Sequence, residues 1–599
     1  MILTRSLISA VAFALLGFAT PHASAAAKCQ LGKVVEFPIT MSGLRPTITG
    51  KINGVDAQFA LDSGAFFSMI SSATADQFNL PRKSAPYGLK VRGVGGETET
   101  SIATVKVFTI AGIPMQRVEF LVGGSESGAG TVGLLGQNFL IKWDVEYDLA
   151  KGVVRLFKAD DCQHAMLAYW ARPEQSLAMM DIGRTTLLRP HTTGTAYLNG
   201  AKITVVFDTG AWTSMLSLKA AARAGITPDT AGVLDAGYSS GIGRSTVKTY
   251  IARFSSFKIG DGEEIKNTRL RFADISLDEG DMLLGADFFL SHHIYVANSQ
   301  HRVYFTYNGG AVFNLGASVS AGKAADSDEA GEAKERGDEL ADAAAYSRRG
   351  AAFAGRRDFE HALADFTRAC ELNPDNPDYS YQRGMAYWGN KQPAPALADL
   401  DHALELDPDY LAARMARAQL RLDISEVSLA AADLEAADRI APKQADVRFT
   451  LAELYARAKL SAAAVAQLDL WILHHPDDSK MTAALTGRCR ERALQGQDLA
   501  KALTDCNAAL RSTAKSSPAA ASILDSRGLV RLRMGDYDKS IADYDASLKP
   551  APKNPWGLYG RGVAKSRAKH SAAGEADIAG AMNLWPQIAD EFKQRGITP

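Results

Sequence analysis

Two short segments of this 599-residue chain carry the same residue types in the same order. Residues 57–65 read Ala-Gln-Phe-Ala-Leu-Asp-Ser-Gly-Ala, and residues 203–211 read Ile-Thr-Val-Val-Phe-Asp-Thr-Gly-Ala. In each, an apolar run ends in a single carboxylate, Asp62 or Asp208, followed by a small hydroxyl residue, Ser63 or Thr209. Gly64-Ala65 and Gly210-Ala211 then turn the chain. One carboxylate at a strand-to-turn junction is ordinary. Two in matching context imply a pair of carboxylates meeting across a pseudo-twofold axis. Carboxylates held that close resist double ionisation, share a proton, and can run acid and base chemistry on one water.

The elements that must position them are strands, and the strands come in two copies. Val105–Ile110, Val118–Val122 and Val153–Phe157 alternate or run apolar between Gly-rich turns, as strands do. Thr74–Leu80 and Leu218–Gly225 are the only clear short helices in this half. Four landmarks then repeat in order. The Asp motifs lie 208 − 62 = 146 residues apart. Gly93-Val-Gly95-Gly96 begins 93 − 62 = 31 residues after the first Asp, and Gly241-Ile-Gly243 begins 241 − 208 = 33 after the second. Leu-Leu-Gly recurs as Leu134-Leu135-Gly136 and Leu283-Leu284-Gly285, and each copy closes with a hairpin. The region is expected to be all-β, with one unit over 33–165 and the other over 180–316.

Bulk properties frame the rest. The charge balance is near neutral, with net charge −1, and gives no reason to expect nucleic acid or an acidic membrane as partner. Arg5, an apolar run over Leu7–Ala19 and Ala23-Ser24-Ala25 read as a cleaved export signal over 1–25, which implies a secreted or periplasmic protein. No later apolar run reaches membrane-spanning length. Cys29 and Cys162 bracket the first unit; they form either a disulfide or two free buried thiols. Cys489 and Cys506 can pair between helices, leaving Cys370 over. His292-His293 and His474-His475 lack metal-ligand spacing, so neither a metal nor a cofactor is expected.

Residues 317–342 are rich in Ala, Gly, Asp, Glu and Lys, poor in large apolar side chains, and read as a flexible linker. Beyond them the period is 34. Pro374, Pro408, Pro442 and Pro476 keep it, as do Pro518, Pro552 and Pro586, with a 42-residue step between the two sets. Gly350, Phe353, Ala362, Phe366 and Ala369 complete a pattern that resembles tetratricopeptide repeats, about seven over 343–599. Such repeats imply a helical solenoid that binds a protein partner. Arg531 and Lys565 replace Phe353 in the last two repeats, which are expected to pack less tightly or to act as caps.

On the doubled Asp-Ser/Thr-Gly-Ala, the doubled Leu-Leu-Gly and the Gly-rich segments, residues 33–307 resemble the retropepsin-like aspartic peptidases. The resemblance implies a double barrel with both halves in one chain, followed here by the all-α solenoid. It implies that Asp62 and Asp208 hold an attacking water, with Ser63 and Thr209 bracing the pair. Leu135-Gly136 and Leu284-Gly285 would pack behind the Asp loops. Gly93, Gly95, Gly96, Gly241 and Gly243 would form flaps over an extended peptide, with Arg244 standing where Gly96 does. Ser63 departs mildly from the commoner Thr. Ala65 and Ala211 give the carboxylates no hydroxyl, so the pair should work at mildly acidic to near-neutral pH. The leading expectation is an exported aspartic endopeptidase acting on protein or peptide. The alternative is a non-catalytic peptide-binding scaffold. Pairing of halves between chains is a further variant, less favoured than pairing within one.

Overall fold

A computed structural model of the protein describes residues 29–86, 91–93, 96–98, 100–124, 130–173, 175–186, 189, 191–240, 246–277, 279–310, 312–313, 340, 342–514 and 517–599. The expected signal over 1–25 and nearly all of the expected linker lie outside the described residues.

Each β unit wraps an apolar interior in a strongly bent sheet. In the first, eight strands are hydrogen-bonded in one sheet, and Arg45–Ile52 pairs both with Val55–Leu61 and with Ser101–Ile110, which curls the sheet on itself. The second has seven strands, closed in the same way by Thr193–Leu198 pairing with Ala201–Phe207 and Thr246–Ile259. Alternation sets the inward face in two phases: Ala103 and Val105, then, after a one-residue shift, Phe108 and Ile110 are buried in the cluster that holds Phe59 and Phe120.

A third sheet joins the units. The closing hairpin of unit one, Asp144–Asp148 with Val153–Asp160, lies antiparallel to that of unit two, His292–Ala297 with Arg302–Tyr307. Gln30–Pro38 and Leu177–Asp181 complete its six strands at the two edges. Cys29 and Cys162 are disulfide-bonded and fasten one edge. The two units are thus halves of one body within a single chain. His292 and His293 are buried in this sheet: His292 lies 2.9 Å from Glu263, and His293 lies 2.7 Å from Glu146 and stacks on Trp170.

Short helices follow both halves of the Asp landmarks. Ser72–Gln77 and Leu218–Arg223 are capped by Ser71 and Ser217. Two more, Gln137–Leu140 and Ala286–Ser291, follow the Leu-Leu-Gly segments and correct the expectation of only two. At four and six residues they are too short to show helical periodicity.

The C-terminal half is a stack of helical hairpins. Seven pairs run from Ala343–Gly355 with Phe359–Leu372 to Pro555–Arg567 with Ser571–Leu584, and Ile588–Gln594 closes the stack. Small residues set the approach: a Cβ on Gly350 would press on the Phe366 ring, and one on Gly528 on Tyr544. Buried or half-buried Asp residues of the second helices hold arginines of the first, as in Arg349–Asp365, Arg383–Asp399, Arg417–Asp433, Arg527–Asp543 and Arg561–Asp577. These pairs correct the expectation of loose terminal repeats. Arg531 and Lys565 sit at the Phe353 position and each bonds that same Asp at 2.8 Å. A cation there replaces an apolar contact with a charged hydrogen bond. Pro518 is a second correction: it occupies the first turn of Pro518–Met534, where its missing N–H costs nothing, rather than ending a repeat. Part of the eight extra residues between Pro476 and Pro518 goes into Met481–Gln495, which has 15 residues against 13 in Ala343–Gly355 and Pro377–Gly389. Cys489 and Cys506 are bonded inside the fifth hairpin, and Cys370 is free. Ala351, Ala352 and Phe353 share an apolar cluster with Phe37, Ile39 and Met41, so the first hairpin is seated on the β body.

Candidate active site

The site grows from two parallel strand pairs. Thr131–Leu135 runs beside Val55–Leu61, and Met282–Leu284 beside Ala201–Phe207. Each ladder ends one bond past the strand: the Asp62 N–H donates to Leu135 O at 2.9 Å, and the Asp208 N–H to Leu284 O at 2.9 Å. The expected Leu-Leu-Gly support is therefore a direct hydrogen-bonded backing. Beyond it the backbone folds onto the Asp loops, with the Gln137 N–H on Ala65 O and the Ala286 N–H on Ala211 O, both at 2.8 Å. Gly136 and Gly285 are required there, because a Cβ would lie 2.8 Å from Ala65 O in one half and 2.7 Å from Ala211 O in the other.

Asp62 and Asp208 meet face to face. A Cβ on Gly64 would overlap the Asp208 carboxyl, and one on Gly210 the Asp62 carboxyl, so only glycine fits beside either. Each carboxylate is aimed by its own loop. Asp62 Oδ1 accepts from the Gly64 and Ala65 N–H groups at 2.9 and 2.8 Å; Asp208 Oδ1 accepts from those of Gly210 and Ala211 at 2.9 and 3.1 Å.

The hydroxyl residues exchange bonds between the halves. The Ser63 N–H donates to Thr209 Oγ1 and the Thr209 N–H to Ser63 Oγ, both at 3.0 Å. Ser63 Oγ donates in turn to Phe207 O at 2.9 Å, and Thr209 Oγ1 to Leu61 O at 2.7 Å. Both side chains are buried. Four bonds thus tie the strands leading into Asp62 and Asp208 to one another.

Burial drives the electrostatics. It pushes Asp62 well above the usual carboxylate range, and the charge of Asp208 and a hydrogen bond to it push further. Asp208 is also raised by burial, but the N–H groups of Ala211 and Gly210, the bond from Asp62 and the charge of His191 pull it back. The two carboxyls are a coupled pair, both raised by burial, and hold one proton between them.

Of the flap candidates, Gly93 and Gly96 are register partners in a two-stranded ribbon, Val91–Gly93 with Gly96–Thr98. At its base Val91 packs in a cluster with Ala65, Phe67 and Met69, against the Asp62 loop. Gly95, Gly241, Gly243 and Arg244 lie outside the described residues. In unit two, Ser240 and Thr246 are paired on either side of 241–245, and Val247 packs near Met215 beside the Asp208 loop.

Three groups were missed in the sequence. Ser68 Oγ accepts from the Gly136 N–H at 3.1 Å and donates to Asn138, while Ser214 Oγ accepts from the Gly285 N–H at 2.9 Å and donates to Asp287. Both serines stand six residues after their Asp (68 − 62, 214 − 208), which was the available signal. Gln137 donates to Ser63 O at 2.8 Å. Arg45 and His191 are the third group, each 17 residues before its Asp (62 − 45, 208 − 191).

Fold and site together define an aspartyl-protease-like pair of half-barrels followed by a tetratricopeptide solenoid. Residues 48–139 and 194–288 each match the family described as Aspartyl protease. Residues 343–376 and 377–410 match Tetratricopeptide repeat families. No curated protein matches the chain. Solved structures similar to it include the C-terminal part of a TPR repeat-containing protein from Cytophaga hutchinsonii, at 16% identity over 36% of this chain and 87% of that one, with a TM-score of 0.30. A tetratricopeptide repeat protein from Parabacteroides merdae is 16% identical over 42% and 97%, with a TM-score of 0.32. PilF of Pseudomonas aeruginosa is 18% identical over 36% and 95%, with a TM-score of 0.27.

Proposed function

We propose that this chain is an aspartic endopeptidase. The observation that carries the reading is the buried Asp62–Asp208 pair, held within one chain by the reciprocal Ser63 and Thr209 bonds. Asp208 takes a proton from a water as its oxygen attacks the peptide carbonyl, and Asp62 gives its proton to the carbonyl oxygen. In the resulting diol, Asp208 returns its proton to the amide nitrogen, Asp62 takes one back from a hydroxyl, and the C–N bond breaks. The ends of the cycle match, so no cofactor is consumed.

We place the enzyme in an oxidising compartment, the periplasm or outside the cell. The signal-like residues 1–25 and the two bonded cystines support this. The repeat domain supports a role in holding a protein partner, and no helix among the described residues is long and apolar enough to cross a membrane.

The test is incubation of the mature protein with a mixed peptide library from pH 3 to 8, beside Asp62→Asn and Asp208→Asn. Cleavage by the parent and none by either variant is the expected result. An intact library, with peptides still bound, would replace the proposal by the scaffold reading.

A further inference from the structure

Two cations stand at equivalent places beside the aspartates. Thr47 pairs with Ala60, two residues before Asp62, and Thr193 pairs with Val206, two before Asp208. Arg45 and His191 each precede those threonines by two residues, so the pseudo-twofold axis that exchanges the aspartates exchanges them as well. The electrostatics agree: Arg45 feels the charge of Asp62, and Asp208 feels that of His191.

Their partners differ. His191 Nδ1 lies 3.0 Å from Glu279. The Arg45 guanidinium lies over the Trp212 ring, 4.5 Å from its centroid, and has no hydrogen bond or ion pair to any described residue. It is sheltered enough that burial lowers its pKa to about 10. Several sheltered arginines in this chain are matched to carboxylates, among them Arg155 with Glu146, Arg417 with Asp433 and Arg492 with Asp505, while Arg533 is held by backbone carbonyls. The Arg45 side chain is only partly buried, so its donors stay open to water and to an anion that replaces it. Asp62 reaches it only as a nearby charge, with no hydrogen bond or ion pair between them.

We infer that Arg45 reads the substrate: it receives the carboxylate of an Asp or Glu side chain next to the scissile peptide bond, and Trp212 supports the methylenes of that side chain. Trp212 directly follows the Asp208 loop and is 57% exposed, as a surface awaiting a ligand would be. The charge logic makes the preference one-sided. A substrate carboxylate beside the ionised pair is repelled unless a cation offsets it. Arg45 does so on its side, whereas on the other His191 is already committed to Glu279. The substrate class is therefore acidic peptide. This inference rests on the endopeptidase reading.

The experiment uses the full mature chain and peptides in pairs that differ only by Glu against Gln, or Asp against Asn, at each residue flanking the cut. The expected result is a preference of tenfold or more in kcat/KM for the acid at one flanking position. Arg45→Gln should bring that ratio near one, and Arg45→Lys should keep part of it, with melting temperatures recorded for both. Equal cleavage of acid and amide peptides by the parent overturns the inference and leaves the endopeptidase standing, as does a preference that survives Arg45→Gln. Failure of the parent to cut any peptide overturns both.

Discussion

Removing one hydroxyl at the centre of the site should unfasten both halves. In Ser63→Ala, the Thr209 N–H loses its acceptor and Phe207 O loses its donor, and both lie in buried surroundings. The Tyr147 hydroxyl, buried behind the site, loses its Ser63 contact as well. A buried polar group left unpaired costs about 1–3 kcal/mol. Two backbone groups therefore put the loss at about 2–6 kcal/mol, with Tyr147 adding to it. Thr209→Val keeps the shape and strands the Ser63 N–H and Leu61 O, for a similar cost. Ser63→Thr is the control. The other half uses Thr in the same place, so it should cost less than about 1 kcal/mol.

The assay must separate the β body from the solenoid, since a chain of this kind need not unfold in one step. Hydrogen exchange on peptides spanning 57–65 and 203–211, read across a urea series, reports the opening free energy of the two loops directly. Both loops should lose protection in either single variant, because each hydroxyl serves the opposite strand. The double variant should cost about 1 kcal/mol less than the sum, because the brace is already open after the first substitution. A Ser63→Ala loss under about 0.5 kcal/mol, or exposure confined to the mutated loop, would refute the idea that these bonds clamp the halves together.

Four further outcomes follow from the charges and crosslinks. Because Asp62 is raised on folding, its contribution is favourable at low pH and is lost as pH rises through its folded pKa; Asp62→Asn should therefore raise Tm more at pH 7 than at pH 4, and an equal shift at both would contradict the burial argument. Cleavage should peak at mildly acidic to near-neutral pH, and a maximum below about pH 3, under the free carboxylate value, would exclude a raised pair. Cys29→Ala with Cys162→Ala opens a 133-residue loop and should cost about 5 kcal/mol in the chain-entropy model, against about 3 for the 17-residue Cys489–Cys506 loop; urea midpoints that rank them the other way would count against that model here. Asp433→Ala leaves Arg417 and Arg421 with only the more exposed Asp401 and should destabilise the solenoid by about 1–3 kcal/mol in thermal melts, more than a surface pair would show.

What the sequence revealed tracks how local each feature is. The Asp loops were legible because Gly64 and Gly210 leave no alternative beside the facing carboxyl, and such necessity repeats in both copies. The helical repeats were legible because Pro374, Pro408, Pro442 and Pro476 recur with the turn, and Gly350 with Gly384. The shared six-stranded sheet was not, because it depends on Asp144–Asp148 meeting His292–Ala297, some 150 residues away, and nothing in either strand names its partner. Arg531 and Lys565 were misread for a related reason. Their meaning lies in Asp543 and Asp577, 12 residues on, and a cation at an apolar position looks like a defect until the carboxylate facing it is known.

Fusing the halves also changes what the pair can do. Two identical subunits must present each aspartate with the same surroundings, so the proton has no preferred side until substrate binds. Here the copies have diverged at matching places: Ser63 against Thr209, Gln137 against Ala286, Asn138 against Asp287, Arg45 against His191. Gln137 ties down Ser63 O in one half, and Ala286 has no side chain with which to do the same in the other. His191 places a cation beside Asp208, and Arg45 one beside Asp62. The two carboxyls therefore share their proton in unequal surroundings before substrate arrives. His191→Gln is the direct probe. Loss of that nearby charge should raise Asp208 towards Asp62 and move the acidic limb of the kcat profile upward in pH. An unmoved limb would mean that the asymmetry of the pair arises elsewhere.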